Sequence, residues 1–148
     1  MRHVQVVGSV SPATLEIRMG RLASIRPSSR TDGDAHPDPF DLILAGLGGS
    51  TANCVIAHAV SNGWDLDAVY VELALHGEVP WQAIGRRIWV DGNLDEQQLA
   101  ALLLIAEQSP VTGTMNSVVH VQSRIDRLPD QDGIASFFPQ LAGNGERT

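Results

Sequence analysis

The sequence predicts an α+β domain with a largely antiparallel sheet packed around one long apolar helix. Three observations carry that expectation. Short stretches alternate apolar and polar side chains in the manner of half-buried strands. A run of more than twenty residues, from Leu42 to just before Asp65, contains no charged side chain. The order of elements is strands, long helix, strand pair, second helix and last strand, the pattern of an α+β fold.

Residues 3–8 and 13–19 read as the first two strands, with 9–12 (Ser9, Val10, Ser11, Pro12) as their turn. Gly20 opens another turn, and 21–26 reads as a third strand. A polar loop follows over 27–38, with Ser28, Ser29, Asp32, Gly33 and Asp34. Pro39 sits where a helix can begin, because its missing N–H is unneeded in the first turn. Asp38 is the expected N-cap, and the Asp41 charge suits the first turn. The helix is expected to run to about Ser61, where Asn62 and Gly63 stop it. At about 1.5 Å per residue it spans more than ~30 Å. Being apolar nearly all round, it is expected to be buried nearly all round, with a second subunit covering part of it. Residues 66–76 and 84–90 read as a strand pair ending at Asp91-Gly92-Asn93. Residues 95–108 form a helix with Leu99, Leu102, Leu103 and Ala106 on its apolar side. Ser109-Pro110 breaks and restarts the chain, and 116–125 is the last strand. Residues 1–128 form one domain and 129–148 a tail, which holds Phe137 and Phe138 among Gly, Asp and Gln.

The bulk properties narrow the function classes. The chain has 148 residues and 43% hydrophobic side chains, enough for a real core. It has no Lys and a formal net charge of -7. That excludes the basic stripe needed to bind nucleic acid, and it disfavours an anionic membrane surface. The 42–65 run is long enough to span a bilayer. Yet Gly48, Gly49, Ser50, Thr51 and Asn53 stand in its middle, and Asp41 and Asp65, not Lys or Arg, flank it. A buried helix of a soluble protein is the expectation. The single cysteine, Cys54, excludes an internal disulfide and suits a reducing compartment. Residues 1–10 lack an apolar signal core, so a cytoplasmic location is expected.

Two segments carry a resemblance. The first runs from Pro39-Phe40-Asp41-Leu42-Ile43-Leu44-Ala45 through Gly46-Leu47-Gly48-Gly49-Ser50-Thr51-Ala52. It resembles the OsmC/Ohr-like signature of proline, apolar residue, acid, a Leu-rich run and Gly-Gly-Cys-Thr-Ala. The second is Ile105-Ala106-Glu107-Gln108-Ser109-Pro110-Val111, followed by Thr114-Met115. It is similar to that family's second motif, Cys-Pro-Val after a helix ending in Ala-Glu-Lys. The resemblance covers residues 4–125. It implies an OsmC-like fold, antiparallel sheets around a long buried central helix, in an intertwined homodimer. The activity it implies is thiol-dependent reduction of organic hydroperoxides in oxidative-stress defence. One cysteine attacks the O–O bond, and the second resolves the sulfenic acid as a disulfide. An Arg and a carboxylate hold the thiolate in an apolar interfacial pocket.

Here the pattern breaks at both cysteines. Ser50 stands at the first and Ser109 at the second. A serine hydroxyl is not ionised near neutral pH and has no sulfenic acid or disulfide chemistry. The expectation is therefore a family member without two-cysteine peroxidase activity, binding a small apolar ligand, with no metal or cofactor. Two alternatives stand beside it. One is a hydroperoxide reductase working through Cys54. The other is an active peroxidase into which the two serines were introduced.

Each candidate residue also has a structural reading. The Ser50 hydroxyl can bond back to the Gly46 carbonyl. Ser109 before Pro110 makes an N-cap and N1 pair. Asp41 matches the family acid, and it also suits a helix dipole. For the family Arg, Arg26 and Arg18 are candidates, each also a solvated strand residue. Cys54 is four residues after Ser50 and four before His58, so a Cys-His pair on one helix face could form a thiolate. A buried helical cysteine is commonly inert. Asp32, Asp34, His36 and Asp38 lack any EF-hand order and read as a solvated acidic loop. Gly46, Gly48 and Gly49 read as places of close helix approach. Trp64, Trp81 and Trp89 read as core or interface residues.

Overall fold

The computed structural model describes residues 2–10, 14–19 and 39–129. Its elements are β1 (Arg2–Ser9), β2 (Thr14–Met19), α1 (Pro39–Ser61), β3 (Leu66–His76), β4 (Ala83–Gly92), α2 (Glu96–Glu107), α3 (Pro110–Asn116) and β5 (His120–Arg127). The fold is α+β, as expected. The third strand at 21–26, the loop at 27–38 with its acidic cluster, the Asp38 cap and the tail from 130 lie outside the described residues.

The strands form one sheet in the order β2-β1-β3-β4-β5. The pairs β1–β2, β1–β3 and β3–β4 are antiparallel, and β4–β5 is parallel. The parallel pair follows from the connection. A chain passing from β4 through α2 and α3 has crossed over before it returns to the sheet, and parallel neighbours require such a crossover. The largely antiparallel sheet is thus mixed at one edge.

One face of the sheet carries the core. Val69, Val71 and Leu73 of β3 and Ile84, Ile88 and Val90 of β4 are all buried, at alternating positions. Leu44, Leu47, Ala52, Val55 and Ala59 of α1 pack on that face, and α2 closes it with Leu99, Leu102 and Ala106. At the root of the β3–β4 ladder a register shift between Leu66 and Ala68 turns Leu66 into the core. Gly92 pairs with Leu66 there at φ 155°, and a Cβ on it would lie 2.1 Å from the Asp65 carbonyl oxygen.

Local signals fix the helix ends. The Asp95 side chain accepts from the Gln98 N–H at 2.8 Å, while Gln98 Oε1 accepts from the Asp95 N–H at 2.9 Å. This reciprocal capping box starts α2. Ser109 caps α3, with Pro110 at its first position. The last strand starts four residues later than expected. Helix α3 continues to Asn116, and the Val118 and Val119 N–H groups both bond the Met115 carbonyl. Two adjacent valines imitate a strand start, but they belong to a turn.

Within one copy of the chain the long helix is covered on one side. Phe40, Leu42, Ile43 and Val60 are exposed, as are Gly46, Asn53 and Ala57. Ile43, Gly46, Asn53, Ala57 and Val60 lie on one stripe, with half-buried Ser50 between them. The helix is apolar on both sides, but the sheet and α2 cover only one. Among the described residues a Cβ on Gly46 would meet nothing within 4 Å, so this glycine makes no close approach to them. By length and composition α1 could also cross a membrane. Trp89 is buried and Trp64 half-buried, whereas Trp81 is 86% exposed.

Candidate functional site

The most unusual group in the core is a charge. Alternation along β4 points Arg86 to the same side as Ile84 and Ile88, and its side chain is only 1% exposed. Four of its N–H groups are accepted by hydroxyls. Nη1 donates to Thr51 Oγ1 at 2.9 Å and to Thr112 Oγ1 at 2.7 Å. Nε and Nη2 both donate to Ser123 Oγ, at 3.0 Å and 2.8 Å. The parallel register places Ser123 directly beside Arg86. One guanidinium thus ties together α1, α3, β4 and β5.

Proton accounting fixes the direction of this network. Thr51 Oγ1 donates back to the Leu47 carbonyl at 2.8 Å, and Thr112 Oγ1 donates to the Ala106 carbonyl at 3.0 Å. Each threonine has one hydroxyl proton, so both oxygens are pure acceptors toward Arg86. Ser109 Oγ lies 2.7 Å from Thr112 Oγ1 and accepts from the Thr112 N–H at 3.3 Å. With the Thr112 proton committed, Ser109 is the donor of the pair. Thr51, Ser109 and Thr112 are all buried.

No carboxylate lies within ion-pair distance of Arg86 among the described residues. Burial pushes its pKa down to about 10, against the partly compensating charges of Glu107 and Cys54. It is still a cation at neutral pH. Neutral hydroxyls solvate such a charge but do not neutralise it.

The expected site residues distribute as follows. Ser109 is inside the network, as the N-cap that the sequence suggested. Ser50 is half-buried on the open stripe of α1, next to Thr51. The expected Ser50 back-bond to Gly46 does not form; Thr51 makes that bond to Leu47 instead. Thr51 is buried, and its proton goes to the Leu47 carbonyl while its oxygen accepts from Arg86. Asp41 stands in the first turn of α1 and is half-buried. Arg26 lies outside the described residues, and Arg18 belongs to β2, opposite Gln5. Cys54 is a free, half-buried thiol. The His58 ring packs edge-on against Trp64, at 5.3 Å between centroids, and makes no bond to Cys54 among the described residues.

Sequence reading missed Arg86, Thr51, Thr112 and Ser123. A signal was present: in a strand read as 84–90, position 86 shares the core parity of Ile84, Ile88 and Val90. An Arg on that face requires buried partners. Among the described residues no group of three or more His, Cys, Asp or Glu could hold a metal. A groove of about 330 Å³ lies between α2 and β5, beside Leu99, Ala100 and Ile125 and the exposed Arg127–Glu96 ion pair. None of its lining residues joins the hydroxyl network, so we place the site at Arg86 on chemistry, not on cavity size.

No protein-family model matches the sequence, and no curated protein is similar to it. Solved structures do match. An OsmC like protein from Mycoplasma pneumoniae superposes with a TM-score of 0.60 at 10% identity, over 83% of this chain and 94% of that one. A hypothetical protein from Aquifex aeolicus VF5 has a TM-score of 0.57 at 13% identity, over 86% and 96%. The organic hydroperoxide resistance protein OsmC from Legionella pneumophila has a TM-score of 0.52 at 16% identity, over 84% and 96%.

Proposed function

We propose that this chain, which has the OsmC-like fold, is an OsmC/Ohr-like protein that has lost two-cysteine hydroperoxide reduction and holds a small apolar molecule between two copies of itself. One observation carries the reading. At the position of the resolving cysteine, Ser109 is a buried hydroxyl committed to Thr112, in a network that ends on Arg86. Such a group holds structure; it does not cycle through a disulfide. The two motifs and the fold neighbours support the family. The open apolar stripe of α1 supports a homodimer, and it is the surface against which an apolar ligand would sit. The single free cysteine supports a cytoplasmic, reducing location.

The test uses the chain as it stands. With an organic hydroperoxide and a dithiol reductant, consumption stays at the background rate, and Cys54→Ala changes nothing. Steady turnover would overturn the reading. Static light scattering at micromolar concentration gives a dimer mass; a stable folded monomer would remove the interfacial ligand site.

A second reading has its own observation. Cys54 lies one helical turn after Ser50, and a thiolate there is near enough to act on the Arg86 charge. In this reading the Cys54 thiolate attacks the O–O bond, gains one oxygen as a sulfenic acid and releases the alcohol. An outside thiol condenses with it to a mixed disulfide and water, and a second thiol frees Cys54 and leaves as a disulfide. Turnover abolished by Cys54→Ala, with a sulfenic acid trapped on Cys54, would establish it in place of the first.

A further inference from the structure

We infer that Arg86, acting through the Thr112 hydroxyl, makes position 109 an anion-stabilising position, so that a thiol placed there ionises below the ordinary range. The inference rests on the reading that Ser50 and Ser109 occupy the places of working thiols. It goes further by assigning a positioning role to Arg86 and Thr112, neither of which belongs to either motif.

The geometry supplies three effects in the same direction. Thr112 Oγ1 accepts from Arg86 at 2.7 Å and lies 2.7 Å from the side-chain atom of residue 109. Its proton now rests on the Ala106 carbonyl, and it can rotate toward an anion at 109. Arg86 would then polarise the hydroxyl that donates to the anion. The Thr112 N–H already points at the same atom, at 3.3 Å. Third, the cation is not neutralised by any carboxylate in ion-pair contact among the described residues, so an anion at 109 relieves a cost the fold already bears.

Burial opposes ionisation, since it raises thiol pKa values. Here a buried cation is linked to position 109 through Thr112 Oγ1, so the new ion enters as its partner. The other charged or titratable groups are few. Glu107 of α2 is exposed and opposes ionisation, Cys54 of α1 is the other thiol, and Arg124 and Asp126 of β5 pair with each other on the far side of that strand. Position 109 is two hydrogen bonds from the guanidinium, close enough for the cation to prevail.

The experiment measures thiolate absorbance against pH in a Cys54→Ala background. Ser109→Cys is compared with Asn93→Cys, an exposed loop position of the same chain. The reference thiol should titrate near the ordinary ~8.5, and the thiol at 109 about 1–3 units lower. Adding Thr112→Val should return the thiol at 109 most of the way to the reference, and Thr112→Ser should preserve the depression. A thiol at 109 that titrates with or above the reference overturns the inference, as does a depression that survives Thr112→Val. No hydroperoxide enters this measurement. Turnover by the unaltered chain would sink the functional proposal alone, and an ordinary thiol at 109 would sink this inference alone.

Discussion

Thr112→Val is the sharpest probe of the hydroxyl network. Valine keeps the branched shape, so no cavity opens, and only one oxygen is lost. That oxygen accepts from Arg86 and from Ser109 and donates to Ala106. Losing the acceptor of a charged donor costs roughly 1.5–3 kcal/mol. The buried Ser109 hydroxyl and the Ala106 carbonyl each lose a partner, at about 1 kcal/mol apiece. Together about 3–5 kcal/mol should disappear, because Thr112 is almost fully buried and water cannot substitute. In a chain of this length that lowers Tm by roughly 6–20 °C. Thr112→Ser retains the oxygen and should lose only about 1 kcal/mol, the value of a buried methyl. Urea denaturation followed by circular dichroism measures both. A Thr112→Val variant within about 0.5 kcal/mol of the parent, the range of neutral surface changes, would refute the network as a stabilising element.

Three further outcomes follow from single residues. Tyr70 is the chain's one tyrosine, and burial followed by the Asp91 charge raises its pKa above the ordinary 10.0. The unfolded phenol therefore ionises first, so stability falls as pH rises above that value. Phenolate absorbance should show a midpoint above 10.0 that Asp91→Asn lowers, and a midpoint at or below 10.0 would contradict the burial of the phenol. Gly92→Ala drives a Cβ to 2.1 Å from backbone oxygen, so it should cost at or beyond the upper end of the ~1–3 kcal/mol typical of overpacking. An unchanged denaturation midpoint would contradict the close approach of Gly92 and Asp65. Asp95→Ala removes the α2 capping box and should cost about 1 kcal/mol; no change in urea midpoint would mean that the cap is idle in solution.

Much of the fold was legible because its signals are local. Alternation marks β3 and β4, Asp95 and Ser109 mark helix starts, and the uncharged run marks α1. The parallel placement of β5 was not legible, because it depends on a crossover whose destination no local pattern encodes. The end of α3 was missed because Val118 and Val119 favour strands by type, while the Met115 carbonyl captures their N–H groups in a turn. For α1 the sequence reports apolarity on every side, but it does not say which side the sheet covers. At the site, Ser109 was legible as a cap from the Ser-Pro pair. Arg86 was legible only as a violation of strand parity, and its partners Thr51, Thr112 and Ser123 come from three separate elements. No spacing rule joins them until the chain is folded.

In the proposed function two serines stand where a working thiol pair would stand, in a fold still able to hold that pair. The most direct measurement is organic hydroperoxide consumption, with a dithiol reductant, by the combined Ser50→Cys and Ser109→Cys variant in a Cys54→Ala background. Steady turnover by this variant is expected, with an intramolecular disulfide between positions 50 and 109 found by peptide mass spectrometry of the oxidised protein, and no turnover by the parent chain. A folded double variant that forms no such disulfide and consumes no hydroperoxide would contradict it.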